Sequence, residues 1–243
     1  MTESFSHPLF IQSEAELHSV KSILESTEEE FCFSINFDPQ FISAICYLGL
    51  FPMAAEVGGY IILLIKLHEE RCILDFENLH IPRNVKKRSG RYSFSVDHAF
   101  EECISAINEQ HPNSWIFPPL AKAFIQMFYT KEFSTRLHSF ELWEGDELVA
   151  GEVGFVVGAA YASLSGFFRK SSTGTIQLCA TAKMLEQCGF AYWDLGMEIP
   201  YKLELGARSL DRELFLTRQR AIRDEKRRLL CQRVNAGEII RTA

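Results

Sequence analysis

The stretch LHSFELWEGDELVAGEVGFVVGAAYASLSGFF, residues 137–168, decides the fold of this chain. Residues 137–143 predict a strand, and residues 144–146 (EGD) predict a turn, because glycine and aspartate accept turn conformations easily. Residues 147–160 and 160–168 are rich in apolar and small side chains, which predicts a second and a third strand. This stretch therefore supplies three consecutive strands.

One helix and one further strand follow. Residues 174–187 carry apolar side chains at helical spacing, and Gly189 is placed to end that helix. The next segment, FAYWD at residues 190–194, predicts a strand that ends in a carboxylate. The order strand, strand, strand, helix, strand predicts an α+β fold with a mixed, mainly antiparallel sheet flanked by helices.

Towards the N-terminus the pattern changes to two helices and a short apolar run. Ser13 and Glu16 have the spacing of a capping box and predict a helix over residues 13–27. Asp38, followed by proline, predicts the start of a second helix. The run YIILLI at residues 60–65 is short and follows two glycines, which predicts a buried strand.

The middle of the chain predicts one strand and two helices. Residues 92–96 (YSFSV) alternate as a strand does, and Asp97 is expected to cap a helix that runs to Ile107. A further helix is expected to begin at Pro118, because proline suits the first turn of a helix.

These elements divide the chain into three expected parts. The apolar pattern breaks near residues 66–72, so we expect a small N-terminal α/β domain at residues 1–70. Residues 71–216 are expected to form the larger domain. Residues 217–243 are rich in Lys and Arg and predict a basic helical tail that frays after Gly237.

The composition excludes several classes of protein. With 243 residues, 47% hydrophobic and 23% charged, the chain is globular rather than disordered. Its net charge of −7 argues against a protein that coats nucleic acid nonspecifically, although it allows a local basic patch. The seven cysteines lack C-x-x-C spacing and mostly have apolar neighbours, which predicts reduced thiols and no zinc site or disulfide framework.

No segment predicts membrane insertion or secretion. The longest apolar run, residues 60–65, is far shorter than the roughly 18 residues that a spanning helix needs. Residues 1–10 lack the basic region and apolar stretch of a secretory signal. We therefore expect a cytoplasmic enzyme or binding protein without a membrane partner.

Three features are candidates for a functional site. Asp194 ends an apolar strand where ligands of α/β sheets gather, and its carboxylate can hold an amine, although an aspartate that caps a turn also fits. The loop at residues 169–174 precedes a helix, where backbone N–H groups attract anions, and it partly resembles the pyrophosphate loop of the GNAT acetyltransferases. The third feature is a cluster of cations that suits either phosphate binding or a solvated surface. These cations are Arg83, Lys86, Lys87, Arg88 and Arg91.

A series of short motifs runs from about residue 38 to about residue 216. They are Gly49-Leu50-Phe51-Pro52, His80-Ile81-Pro82-Arg83, Ala99-Phe100, Trp115-Ile116, His138-Ser139-Phe140-Glu141-Leu142-Trp143, Glu147-Leu148-Val149-Ala150-Gly151, Gly189-Phe190, Asp194, Leu205-Gly206-Ala207 and Arg212. In their order and spacing the chain resembles the leucyl/phenylalanyl-tRNA–protein transferases.

The resemblance implies a fold and a reaction. The fold is a small N-terminal α/β domain joined to a GNAT-like domain. The reaction moves leucine or phenylalanine from aminoacyl-tRNA to the N-terminal α-amine of an acceptor protein or peptide that begins with Arg or Lys. This transfer marks the acceptor for N-degron proteolysis. The resemblance implies no cofactor and no metal.

The resemblance also implies roles for single residues. Asp194 would position the acceptor amine, and the cations of residues 83–91 would hold the tRNA acceptor stem. Trp115 would stack near the terminal adenosine, and Tyr161 and Leu178 would line the amino-acid pocket. We therefore expect the Asp194 carboxylate to face an opening that holds the 3′ end of a charged tRNA.

The chain departs from the family pattern at three informative positions. Gly196 stands where the family has a glutamine, and Leu164 stands where it has a pocket glutamate. Glu152 stands near the pocket where the family usually has an apolar residue. Because an unpaired buried carboxylate is costly, we expect Glu152 to meet a cation, which can belong to a substrate different from that of the family.

Two other functions stay open on the sequence. The first is a GNAT-type N-acyltransferase that uses an acyl-CoA, for which the loop at residues 169–174 is the support. The second is a noncatalytic relative that binds tRNA or a degron and has lost its chemistry together with the glutamine.

Overall fold

The computed structural model describes residues 9–130 and 132–241. The expectation that residues 1–10 hold no secretory signal therefore lies mostly outside the described residues. Within them the helices are α1 (Glu14–Ser26), α2 (Pro39–Tyr47), α3 (Arg83–Arg88), α4 (Phe100–Gln110), α5 (Pro118–Tyr129), α6 (Thr173–Gln187), α7 (Pro200–Glu204), α8 (Arg212–Ile222) and α9 (Ala236–Arg241), with short 3-10 helices at Phe76–Asn78 and Ser89–Arg91. The strands are β1 (Phe31–Ser34), β2 (Phe51–Val57), β3 (Tyr60–Lys66), β4 (Glu70–Leu74), β5 (Ser93–Val96), β6 (Arg136–Glu144), β7 (Glu147–Val157), β8 (Ala160–Phe168), β9 (Tyr192–Asp194), β10 (Arg208–Asp211) and β11 (Val234–Asn235).

The described strands form two sheets. The smaller sheet has the strand order β1-β3-β2, and its neighbours are antiparallel. The larger sheet has the order β10-β4-β9-β8-β7-β6-β5-β11, in which β8 and β9 run parallel and the other neighbours antiparallel. The predicted α+β architecture, with a mixed, mainly antiparallel sheet flanked by helices, is confirmed.

The larger sheet separates two layers of buried side chains. On one face Val153 and Phe155 pack with the smaller sheet and with helices α2, α4 and α5. On the other face Leu142, Tyr161 and Trp193 pack with helices α6 and α9. Because consecutive residues of a strand point to opposite faces, an odd or even position along β9 decides which layer a side chain enters.

Local signals in the sequence explain where the first two helices begin. Ser13 and Glu16 form the predicted capping box at the start of α1. At the start of α2 the Asp38 carboxylate accepts a hydrogen bond from the backbone N–H of Gln40 (2.9 Å). Each contact satisfies an N–H group that the first turn of a helix leaves without an internal partner.

The prediction that Asp97 caps α4 is wrong, because that helix begins three residues later. Asp97 adopts a left-handed backbone conformation (φ 63°), and its carboxylate accepts the backbone N–H of Ser139 (3.0 Å). Glu141 of β6 takes the capping role instead, since it accepts the backbone N–H groups of residues 98 and 99 (both 3.2 Å). The cap therefore comes from a neighbouring strand.

The basic tail differs from its prediction. After α8 the chain has no helix or strand across residues 223–233, and then forms β11 and α9. The expected fraying after Gly237 is wrong, because Ile239 and Ile240 of α9 are buried in the layer beside α6.

The change from the smaller to the larger sheet falls between β3 and β4, within the segment where the sequence predicts a boundary. Buried residues of both sheets nevertheless belong to one hydrophobic layer. The division into residues 1–70, 71–216 and 217–243 stays a prediction.

The helices of the described residues are short. The longest of them, α6, has 15 residues. None of these helices combines the length and the apolar character needed to cross a membrane.

Candidate active site

Strands β8 and β9 diverge towards their carboxyl ends. They pair only across residues 160–162 and 192–194, after which β8 stays beside β7 as far as Phe168. The chain that follows β9 stays beside β4, since the backbone N–H of Leu195 donates to the carbonyl of Cys72 (2.8 Å). A cavity of about 480 Å³ opens between the diverging segments, where ligands of such a sheet are expected to gather.

The cavity combines apolar walls with a few buried polar groups. Its polar side chains with the least exposure are Glu152 and Gln177, each 3% exposed, and Lys202. Its apolar lining includes Leu164, Phe167, Leu178, Leu195 and Leu205. Such a site suits a ligand that is largely apolar and carries a small number of charged or polar groups.

Glu152 is held by neutral hydrogen-bond donors. The Ser163 hydroxyl donates to Oε2 (2.8 Å), and the Gln177 side-chain amide donates to Oε1 (3.2 Å). Gln177 also donates to the hydroxyl of Thr181 (2.8 Å), one turn further along α6. Within residues 9–130 and 132–241 Glu152 forms no ion pair. The described part of the protein therefore does not supply the cation that we expected beside this carboxylate.

Burial raises the pKa of the Glu152 carboxyl to about 7, although the hydrogen bonds from Ser163 and Gln177 lower it. The charged form is disfavoured because the surrounding protein replaces water without supplying a positive charge in contact. Near neutral pH the protonated and the charged form of this carboxyl are therefore both populated.

Lys202 is a buried cation in the same cavity. Its Nζ donates to the carbonyls of Leu195 (2.5 Å) and Met197 (2.8 Å), which fixes the turn after β9. Burial lowers the pKa of Lys202. An ammonium group has three N–H donors, so these two hydrogen bonds leave one donor for a ligand.

The predicted cation cluster begins beside this cavity, although none of its five side chains is part of the lining. His80 and Pro82 line the cavity, and α3 begins directly after them. All five cations of residues 83–91 are exposed, and the Arg88 guanidinium donates to the Ser172 hydroxyl at the start of α6 (3.3 Å). The segment that follows the cavity wall at Pro82 therefore carries concentrated positive charge, which attracts phosphate groups.

The predicted anion loop at residues 169–174 also borders the cavity, through Gly174. Its two cations are already engaged, because Lys170 forms ion pairs with two glutamates of the β6–β7 turn and Arg169 donates to a backbone carbonyl of β7. The loop contributes backbone at the start of α6 rather than free charge.

Asp194 does not line this cavity, so the expectation that its carboxylate faces the opening is wrong. It is 3% exposed and accepts hydrogen bonds from the Arg71 guanidinium, on the face that packs against the smaller sheet. The reason is strand alternation: Leu195, the next residue, points to the cavity, and Asp194 points to the opposite face.

Two further predicted site residues lie outside the cavity. Tyr161 is fully buried, and its ring packs against Phe140 and Trp193. Trp115 packs edge-on against Phe51, with 5.5 Å between ring centroids. Neither residue is part of the cavity lining, so the expected pocket role does not fit Tyr161, whereas the stacking role of the partly exposed Trp115 stays a prediction.

Of the predicted substrate-binding residues, Glu152 and Leu178 do line the cavity, whereas the sequence did not single out their neighbours Gln177 and Lys202. A signal for Gln177 was present, because it stands four residues before Thr181 on an otherwise apolar face of α6. Nothing local marks Lys202, which resembles any lysine of a short surface helix until the turn is folded around it.

The cavity lies within a region that matches a known family. The sequence model of the family described as leucyl/phenylalanyl-tRNA protein transferase matches residues 73–220. A protein of that name from Hyphomonas neptunium is 31% identical over 193 residues, which cover 77% of this chain and 73% of the relative. Another of that name from Magnetococcus marinus is 28% identical over 210 residues, covering 82% of this chain and 86% of the relative.

Solved structures give weaker likenesses. The C-terminal domain of a putative lysylphosphatidylglycerol synthetase from Agrobacterium fabrum has a TM-score of 0.43 at 9% identity, covering 88% of this chain and 79% of that one. FemX has a TM-score of 0.39 at 11% identity, covering 89% and 85%. The sequence matches carry the assignment: this chain belongs to the leucyl/phenylalanyl-tRNA protein transferase family.

Proposed function

We propose that this protein is an aminoacyl-tRNA–protein transferase that moves an amino acid from aminoacyl-tRNA to the N-terminal α-amine of an acceptor protein. One observation supports this beyond family membership. A largely apolar cavity of about 480 Å³ has Pro82 in its wall, and the exposed cations of residues 83–91 follow directly in the chain. The tRNA phosphates bind the cations, and the aminoacyl group at the 3′ end enters the cavity.

The chemistry suits a site that mainly positions its substrates. The ester of aminoacyl-tRNA is already activated, and an α-amine with a pKa near 8 is partly neutral at pH 7. Holding the two together can contribute about 7–11 kcal/mol to lowering the barrier. The amine attacks the carbonyl carbon of the ester, and negative charge develops on the carbonyl oxygen, which the remaining N–H donor of Lys202 is available to stabilise. Collapse of this intermediate forms the amide bond and releases the tRNA 3′-hydroxyl, which takes up the proton that the amine loses.

The side chain of the transferred amino acid packs against the apolar walls of the cavity. Leu178 of α6 and Leu164 of β8 lie on either side of it. Asp194 acts as a positioning residue: besides binding Arg71, it accepts the backbone N–H of Gly196 (2.9 Å), within the turn whose carbonyls hold Lys202. The parallel β8 and β9, joined by α6, support a GNAT-like classification of the larger sheet.

The proposed transfer marks the acceptor for N-degron proteolysis, and because aminoacyl-tRNA is a cytoplasmic substrate, we place the protein in the cytoplasm. The donor that we propose first is leucine or phenylalanine, and the acceptor begins with Arg or Lys. No cofactor takes part in this scheme.

Incubation with radiolabelled leucyl-tRNA or phenylalanyl-tRNA and a peptide that begins with Arg or Lys tests this function. We expect label to move to the peptide, and an otherwise identical peptide with an acetylated N-terminus to stay unlabelled. Binding of tRNA without transfer from any donor would favour the noncatalytic alternative. Acetyl-CoA turnover without affinity for tRNA would favour the acyl-CoA alternative.

A further inference from the structure

Two buried glutamates of neighbouring strands have different surroundings. Glu141 of β6 is 0% exposed and lies in closed protein, where two hydroxyls and two backbone N–H groups donate to its oxygens. Glu152 of β7 is almost as buried, but it lines the cavity. Four donors of the protein itself therefore solvate the carboxylate of Glu141. The carboxylate of Glu152 instead faces the cavity and is available to a bound ligand.

The cavity supplies no direct positive partner for Glu152. The buried cation beside it, Lys202, is committed to two backbone carbonyls and makes no ion pair with Glu152. A carboxylate in a largely apolar cavity is stabilised most by a ligand that brings its own cation. The ligand that matches this cavity has one positive group beside an apolar body.

We propose that Glu152 binds the α-ammonium group of the aminoacyl moiety on the donor tRNA. This assignment rests on the proposed function. An α-amino group is substantially cationic near pH 7 and is attached to the same carbon as the side chain. The carboxylate therefore receives the charged group while Leu178 and the other apolar walls receive the side chain.

The apolar lining favours the α-ammonium over a cationic donor side chain. A lysine or arginine side chain would place its long polar end in a cavity whose other walls include Leu164, Phe167 and Leu195. Those walls offer it no second anion, because the further carboxylate of the lining, Glu204, is exposed at the edge. Leucine and phenylalanine leave Glu152 to the α-ammonium alone.

A pair of donors that differ only in this charge tests the assignment. Phenylalanyl-tRNA and phenyllactyl-tRNA have the same shape and the same ester, but the second carries a hydroxyl in place of the α-ammonium. We expect the wild-type protein to transfer from phenylalanyl-tRNA about tenfold or more faster at low donor concentration, as a charged hydrogen bond allows. In Glu152→Gln we expect the two rates to lie within about twofold, mainly through loss of the phenylalanyl rate.

Glu204→Gln is the matched control, because it removes the same charge from an exposed position of the same cavity. It should keep the wild-type preference. A preference that survives in Glu152→Gln, or that is absent from the wild type, overturns the assignment. Faster transfer from lysyl-tRNA or arginyl-tRNA than from phenylalanyl-tRNA would also overturn it, in favour of a side-chain cation.

Binding of a stable amide analogue separates this inference from the proposed function. The 3′-phenylalanylamide and 3′-phenyllactylamide of 3′-amino-3′-deoxyadenosine cannot transfer their acyl groups readily, so calorimetry reports binding alone. Preference for the phenylalanyl analogue that depends on Glu152, in a protein that transfers nothing, would retain the assignment and reject the transferase. Transfer activity without that preference would do the reverse.

Discussion

The guanidinium of Arg71 donates hydrogen bonds to both carboxylate oxygens of Asp194, and the two buried side chains are 123 residues apart in sequence. Arg71 also lies over the rings of Phe51 and Phe215, so it joins the end of β9 to the smaller sheet and to α8. The pair fixes the end of the strand from which the cavity opens.

Breaking this pair should destabilise the protein. Arg71→Met and Asp194→Asn should each lower the free energy of unfolding by about 3–5 kcal/mol, because each leaves a buried partner without its counterpart. The loss in the double variant should be smaller than the sum of the two, as measured by urea denaturation. Arg208→Met is the control, since its pair with Asp75 is exposed on the arginine side and should contribute about 1 kcal/mol or less. Strictly additive losses would contradict the coupling.

The exposed cations of residues 83–91 should dominate the binding of tRNA. Replacing Lys86, Lys87 and Arg88 by Gln should weaken binding and reduce the slope of log affinity against log salt by about 2–3, roughly one for each phosphate group that the variant no longer neutralises. A control variant that removes three other exposed charges should retain most of the wild-type slope; those charges are Lys122, Lys226 and Arg228. An unchanged slope in the first variant would remove this cluster from the interface.

Stability should depend on pH through Glu152. Since burial raises its pKa from 4.5 to about 7, the folded protein holds a proton between these values that the unfolded chain releases. The stabilisation that this bound proton gives the folded protein is fully present below pH 4.5 and is lost as the pH rises through 7. The difference in unfolding free energy between wild type and Glu152→Gln should therefore change by up to about 1.4 kcal/mol per pH unit between pH 5 and 7. A difference that is flat with pH would contradict the raised pKa.

Filling the cavity should block the reaction without unfolding the protein. Leu178→Trp adds volume to a partly exposed wall of the cavity, so we expect transfer to fall about tenfold or more while the midpoint of thermal unfolding changes by a few degrees at most. Leu203→Trp on the exposed side of α7 places the same side chain outside the cavity lining and should leave transfer near the wild-type rate. Equal effects of both substitutions would argue against this cavity as the donor site.

The C-terminal helix should contribute to stability. Ile240 of α9 is 2% exposed, and Ile240→Ala should cost about 2–5 kcal/mol of unfolding free energy, because it leaves a hole beside α6. Leu230→Ala, at a position that is 57% exposed, should change the same quantity by less than about 0.5 kcal/mol. A neutral Ile240→Ala would mean that α9 does not dock in solution.

The sequence predicted most of the larger sheet because its signals are local. The turn at residues 144–146, the helix over residues 174–187 and the strand FAYWD are each recognisable within a few residues, and their order determines the parallel crossover. The carboxyl end of that crossover is where the cavity opens, so the general position of the site could be read from the sequence.

The choice of residues within the site could not be predicted in the same way. Whether Asp194 or Leu195 faces the cavity depends on which layer packs on which face, and that is decided by Arg71 and the smaller sheet. The prediction that Tyr161 lines the pocket failed for a similar reason. Gly154 on the adjacent strand leaves room for the Tyr161 side chain in the protein interior, since a Cβ at that position would overlap the Tyr161 hydroxyl oxygen. Such contacts between distant segments produce no periodic pattern in the sequence of either segment, so the sequence does not reveal them.

The hydrophobic layer shared by the two sheets has a consequence for how the molecule melts. Side chains such as Ile65 of the smaller sheet and Phe155 of the larger one lie in a single buried cluster. Heating should therefore give one calorimetric peak, with equal van't Hoff and calorimetric enthalpies, rather than two. We expect a fragment that begins at β4 to expose this apolar surface to water and to aggregate, because it lacks the N-terminal segment that covers that surface.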